Sequence, residues 1–280
     1  MFHINNMLRR FFITILLLCS ALSLSAKVSD NAKEEKVAKE IKGEGNHLLP
    51  RFGLWRTSYF ATGVHTNKPL SVDSADVKFQ VSVALRMWTI RDKAEILFTY
   101  SQHSVWDIYR PSCPFRETAY NPGIWALWRL RSDMDMLFGI EHESNGLGTS
   151  DSRSYNYATV AWLYTPAPYC RLGVRLWGGY YDVENIERYH HFRGIGHAWA
   201  TFHTLNERLQ CTVLVNPTLA FDGCNLHVEA SWRLSKKKGV TPSFYAQYSY
   251  GYGDTMIDYN RRHSAIRIGI ALKNDWLNFY

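Results

Sequence analysis

From about residue 52 onward, hydrophobic and polar residues alternate one by one over stretches of roughly ten residues, set apart by turn-forming residues. Val77, Phe79, Val81, Val83, Leu85 and Met87 interleave with Lys78, Gln80, Ser82, Ala84 and Arg86. Leu172, Val174 and Leu176 interleave with Arg171, Gly173 and Arg175, and Leu226 through Leu234 repeats the pattern around His227, Glu229, Ser231 and Arg233. Ile266, Ile268, Ile270 and Leu272 do so around Arg267, Gly269, Ala271 and Lys273. Successive side chains of a strand point to opposite faces, so each stretch predicts a strand with one apolar and one polar face.

A soluble β-sandwich shows the same alternation. Here, however, the apolar faces are long and the opposite faces carry Arg, Lys and Glu. The chain also opens on an export sequence, and Tyr280 follows the strongly alternating stretch 266–272, as in many outer-membrane barrels. No later stretch is apolar enough to cross a membrane as a helix. The expected fold is therefore all-β, an antiparallel transmembrane β-barrel. A spanning strand takes about 9–11 residues, which leaves room for roughly ten to twelve strands. Closure follows because an open sheet edge in lipid would leave backbone groups unpaired. The segment Tyr189–His203 is ambiguous in parity.

The N-terminus reads as a targeting device. Arg9 and Arg10 precede an apolar run, Phe11 to Leu22, that is too short to span a bilayer, and small residues end at Ala26. Residues 1–26 are expected to be a cleaved signal peptide, 27–50 a flexible, Lys- and Glu-rich periplasmic lead-in, and 51–280 the barrel. Removing residues 1–26 takes away two Arg and no acid, so the net charge falls from +7 to +5. That modest charge, with no basic cluster interleaved with stacking aromatics, points to no nucleic-acid partner. Aromatics make up 15% of the chain, suited to girdles at the membrane interfaces, and a mean hydropathy of −0.27 suits faces that cancel on average. Cys113, Cys170, Cys211 and Cys224 remain after export; none has metal spacing and their pairing is open. His190, His191, His197 and His203 match no standard ligand pattern.

One strand breaks the rule that lipid-facing positions are apolar. In Asp133–Ser144 the even positions Met134, Met136, Phe138 and Ile140 run on into His142 and Ser144, while Glu141 and Glu143 take the luminal face. In the next strand Asn156 shares its face with Ala158, Val160 and Trp162. The short Gly-bearing loop 145–154 makes a hairpin that brings Asn156 beside His142. Polar groups facing lipid are costly and suggest function. Ser supplies a nucleophile once a base takes its proton, His supplies that base, and Asn can orient the imidazole. His-x-Ser alone is a weak signal, and near a strand end both residues could simply sit among headgroups. An outward site would meet acyl chains and headgroups rather than solutes.

With these residues in view, the chain resembles the outer-membrane phospholipase A family. The resemblance lies in Glu141-His-Glu-Ser-Asn-Gly146 with Asp151-Ser-Arg-Ser-Tyr-Asn156, in Tyr100-Ser-Gln102 and Pro114-Phe-Arg-Glu-Thr118, in Val77-Lys-Phe-Gln80, and in Gly251 to Asn260 before the final strand. It spans about residues 54–280 in the family's order. It implies a barrel of twelve strands with Ser144 as nucleophile, His142 as base, Asn156 as the orienting residue and the Gly146 N–H as oxyanion donor. It further implies a calcium cofactor held by the Leu147 carbonyl, the Ser152 hydroxyl and the Ser112 carbonyl of a second subunit. The expected partners are membrane phospholipids and a second copy of the chain, in a homodimer. Leu147 stands where the family usually has Arg, Cys113 replaces a Ser, the loop after Trp106 is slightly shorter, and a few residues extend past the usual C-terminus. Gln102 falls on the outward face of Glu95–Trp106, where its amide would pair across the dimer or reach to the membrane interface.

The expected activity is calcium-dependent hydrolysis of phospholipid acyl esters in the outer membrane, at sn-1 with sn-2 left open. The alternatives are a catalytically silent barrel, pore or structural, and a lipid A deacylase.

Overall fold

A computed structural model describes residues 48–90, 93–148, 150–181, 189–204, 206–235, 239–273 and 279–280. Among these the strands are β1 (Phe52–Leu54), β2 (Ser58–His65), β3 (Ala75–Ile90), β4 (Ala94–Trp106), β5 (Phe115–Arg131), β6 (Met134–Ser144) and β7 (Ser154–Ala167). They continue as β8 (Cys170–Tyr181), β9 (Gly196–His203), β10 (Leu209–Pro217), β11 (Cys224–Arg233), β12 (Thr241–Tyr252) and β13 (Arg262–Lys273), with a short helix α1 (Tyr189–Arg193) before β9. No described helix is long and apolar enough to cross a membrane. The proposed signal peptide, the lead-in up to residue 47 and residues 236–238 lie outside the described residues.

From β3 to β13 each strand pairs antiparallel with the next, and β13 returns to β2, which pairs β3. The sheet is thus a closed barrel with no free edge. β1 and β2 lie end to end against β3, with Phe52 opposite Leu85 and Tyr59 opposite Gln80, so together they fill one strand position. The circuit is the expected twelve-stranded antiparallel barrel. The ambiguous stretch 189–203 resolves into α1 followed by β9.

The alternation read from sequence sorts the two faces. Ile268 is 63% exposed on the outside while Arg267 is fully buried in the lumen. A charge inside is tolerated because the lumen supplies partners. Arg267 reaches Asp76 at 2.7 and 2.9 Å and Asp254 at 2.8 Å. Glu229 accepts from Lys273 Nζ at 2.7 Å and from Tyr245 at 2.8 Å.

The lumen has an apolar floor of Trp55, Leu97, Trp125, Leu127, Leu137, Leu163, Trp199 and Phe279. The C-terminal aromatics turn inward: Phe279 packs 4.5 Å from Trp55 and 5.0 Å from Trp125, and the Tyr280 hydroxyl hydrogen-bonds Thr212 and Glu229. Leu48 and Leu49, read from sequence as the end of the lead-in, are docked at this floor, their amides donating to Glu95 at 2.7 and 3.1 Å. All four described cysteines are free thiols.

Candidate active site

The barrel's connections are unequal. The links at 132–133 and 168–169 are tight, whereas those at 107–114, 145–153 and 182–195 are long, and long loops mark the outer side of such barrels. The candidate site lies at this long-loop end, on β6 and β7.

β6 and β7 pair in unbroken register, with His142 opposite Asn156 and Ser144 opposite Ser154. The parity is the one the sequence predicts. Glu141 and Glu143 are buried in the lumen, and His142, Ser144 and Asn156 are half-buried on the outward face that carries exposed Phe138 and Ile140. His142 Nδ1 lies 2.8 Å from Asn156 Oδ1. An amide oxygen only accepts, so this contact places the ring proton on Nδ1 and leaves Nε2 free to take another. Ser144 stands two residues on, on the same face; the hydrogen bonds among the described residues include none between it and His142. Such contacts are often long before substrate binds.

The loop after β6 is pinned by one side chain. Asn145 Oδ1 accepts from the Leu147 and Arg153 amides at 3.4 and 2.9 Å, and its Nδ2 donates to the Asp151 carbonyl at 2.7 Å. The segments carrying Leu147 and Ser152 are thereby drawn together. Gly146 has φ +65°, a conformation that favours glycine, and a Cβ there would lie a tight 3.1 Å from the Tyr120 ring. Ser112, in the β4–β5 loop, is exposed and has φ +63°. Gln102 is half-buried on the outer face of β4, where its side-chain oxygen accepts from the Tyr100 hydroxyl at 2.9 Å.

The remaining motif residues fasten the outer end instead of touching Ser144. Glu117 accepts from the Met256 and Ile257 amides at 2.7 Å each, Lys78 reaches Asp254 at 2.7 Å, and Arg116 binds Asp107. Three residues that sequence reasoning passed over stand directly behind the site. Asn121 donates to the His142 carbonyl at 2.9 Å, Pro122 lies in β5 alongside β6, and Arg193 of α1 binds Glu143. Pro122 was the available signal, since proline inside a strand removes a ladder hydrogen bond. Burial alone would weaken the Arg193 charge, but Glu143 beside it more than reverses this, and the guanidinium pKa stands well above its ordinary value.

The phospholipase A1 family model matches residues 28–272. The chain belongs to this family. The phospholipase is a hydrolase of lipid carboxylic esters, in a barrel of outer-membrane type. A phospholipase A1 of Proteus vulgaris is 28% identical over 219 residues, covering 71% of this chain and 70% of that one. A Neisseria meningitidis relative is 30% identical over 222 residues, and the match spans only 55% of its length. In fold, the phospholipase is similar to the Escherichia coli outer membrane phospholipase A, with a TM-score of 0.70 at 20% identity, covering 80% of this chain and 99% of that one. It is also similar to a Salmonella typhi outer membrane phospholipase solved as a dimer with bound calcium, with a TM-score of 0.69 at 20% identity, covering 80% and 92% of the two chains.

Proposed function

We propose that this phospholipase cleaves the sn-1 acyl ester of membrane phospholipids through a Ser144–His142–Asn156 triad on the outer wall of the barrel. The observation that carries this reading is the His142–Asn156 hydrogen bond on the same lipid-facing surface as Ser144. Asn156 holds the imidazole with Nε2 unprotonated. Nε2 takes the Ser144 proton as Oγ attacks the ester carbonyl carbon, and the Gly146 N–H donates to the oxygen that gains charge. His142 then returns the proton to the departing glycerol oxygen, leaving an acyl-serine and a lysophospholipid. A water, deprotonated by the same Nε2, releases the fatty acid and restores Ser144.

The residues expected to hold calcium fit it by chemistry. The Leu147 carbonyl and the Ser152 hydroxyl offer oxygen, the donor atom a hard cation prefers, and Asn145 draws their segments together. Calcium bound there would supply positive charge near the oxyanion. The third ligand in this reading is the Ser112 carbonyl of the partner subunit, so the active form is a homodimer. The Salmonella typhi relative was solved as a calcium-bound dimer, which supports that arrangement. Gln102, whose amide NH2 is left over after the Tyr100 contact, belongs to the dimer surface in this scheme. Residues 1–26 act as the cleaved signal for export to the outer membrane. The packed floor around Trp55, Trp125, Trp199 and Phe279 lends no support to the pore alternative.

The test is fatty-acid release from phospholipid–detergent micelles, with calcium and with chelator, for wild type and Ser144→Ala. Calcium-dependent release that the variant loses is expected. Absence of release by folded wild type would overturn the reading and redirect the search to lipopolysaccharide acyl chains.

A further inference from the structure

His142 and Ser144 stand where the hydrogen-bond ladder of their strand is interrupted on one side. Between β5 and β6, Tyr120 is opposite Ser144 and Gly123 opposite Glu141, but Asn121 and Pro122 have no paired residues. Pro122 has no N–H to give. Over this stretch β6 is held by a full ladder only to β7, much as an edge strand is. On the β5 side a side chain stands in for the ladder, Asn121 donating to the His142 carbonyl.

From the lumen, the same stretch is gripped through Glu143, the residue between His142 and Ser144. Glu143 is 8% exposed and is bound by the Arg193 guanidinium. Arg193 is itself set in a cage. Its guanidinium carbon lies 5.5–5.8 Å from the ring centres of Tyr155, Tyr157, Trp177 and Tyr189. Its Nη1 donates to the Tyr189 hydroxyl at 2.8 Å, and its carbonyl accepts from Asn216 at 3.0 Å. A planar guanidinium stacked and hydrogen-bonded in this way is held in orientation as well as in place. A flexible contact would fill space; this one transmits a position.

We propose that Arg193, delivered into the barrel mouth by the β8–β9 segment, is a positioning residue for the ester hydrolysis. By clamping Glu143 it sets the rotation of the 142–144 stretch about the strand axis. That rotation aligns His142 Nε2 with Ser144 Oγ on the opposite face. The inference rests on the triad assignment above. It predicts that loosening the clamp lowers the chemical step while the lipid-binding surface, which Arg193 does not touch, is unchanged.

The experiment uses the full refolded chain in detergent with saturating calcium. It reads kcat and KM on micellar phospholipid, the rate at which a sulfonyl fluoride labels Ser144, and the folded fraction by heat-modified gel mobility. For Arg193→Met, kcat is expected to fall at least about tenfold, since small misplacements in a reacting pair cost up to about 100-fold. KM is expected to stay within about twofold, and Ser144 labelling to slow in step with kcat. Arg193→Lys should recover part of the loss. Lys273→Met serves as the comparison, because it breaks another buried ion pair, to Glu229, away from the site. It is expected to lower the unfolding midpoint with kcat unchanged. If Arg193→Met does not fold, Glu143→Gln replaces it with the same expectation. Wild-type kcat in a folded clamp variant, or a loss no larger than the loss of folded protein, would overturn the proposal. A Ser144→Ala chain that still releases fatty acid would instead overturn the triad on which it rests.

Discussion

His142 Nδ1 lies 2.8 Å from Asn156 Oδ1 across the β6–β7 pair, a contact between two polar side chains on a surface otherwise given to lipid. Its consequence is tautomeric: the proton stays on Nδ1 and Nε2 stays basic. Asn156→Ala removes the acceptor without touching the lumen. It should lower kcat by roughly 100-fold, the lower end of what positioned acid–base catalysis supplies. Fatty-acid release from micelles measures this, and an unchanged kcat would show that the imidazole is oriented by something else.

Calcium dependence should track the loop behind Ser144. Ser152→Ala removes one hydroxyl ligand and leaves the Asn145 contacts in place. The calcium concentration for half-maximal activity is expected to rise about tenfold or more, with the maximal rate at saturating calcium nearly preserved; removing one ligand from a site tuned by its ligands has that scale. A calcium titration of activity decides it.

The outer face should reject charge. Ile268 is 63% exposed between fully buried Arg267 and its neighbours on β13, and it faces hydrocarbon. Ile268→Lys is expected to destabilise the barrel by about 2–4 kcal/mol if it sits near the bilayer midplane. Urea unfolding in lipid vesicles reads the difference, and a neutral result would place this strand outside the hydrocarbon.

The luminal floor leaves no room beneath Trp125. A Cβ at Gly139 would come within 2.4 Å of the Trp125 ring, which itself packs 5.2 Å from Trp55. Gly139→Ala should cost about 1–3 kcal/mol, the scale of forced overpacking. An unfolding midpoint equal to wild type would mean that the ring has space to move.

Acid should loosen the outer loops. Burial raises the cost of charging Asp254, but Lys78 and Arg267 beside it outweigh that and hold its carboxyl well below the usual carboxylate range. A carboxyl whose folded pKa is depressed adds stability that is present above its unfolded value, near about 4, and is lost as pH falls through the folded value. Wild type should therefore weaken on acidification below about pH 4. Asp254→Asn should be less stable at neutral pH by up to about 3–5 kcal/mol, because it strands buried cations, and its acid slope should be shallower. Parallel acid slopes in the two proteins would refute the assignment.

Much of the site was legible in the sequence because the strand period is two. Once Met134 to Ile140 are placed outside, His142 and Ser144 have no other face to occupy, and a short hairpin brings Asn156 alongside. The inward turn of Tyr280 was not legible. An aromatic after an alternating strand reads as an interface residue, and only the polar partners Thr212 and Glu229 waiting in the lumen make the buried position favourable.

What the sequence determined by itself was therefore everything carried by local alternation: the strands, their two faces, and the outward placement of Ser144, His142 and Asn156. What only the tertiary structure decided was which distant groups meet inside the closed wall. Arg193 finds Glu143 fifty residues away in sequence, and Arg267 finds Asp76 and Asp254, because closing the sheet brings together luminal side chains whose separation along the chain carries no periodic signal. In that low-dielectric interior each buried charge must be matched, so the pairing follows from the geometry of closure and the cost of an unpaired ion.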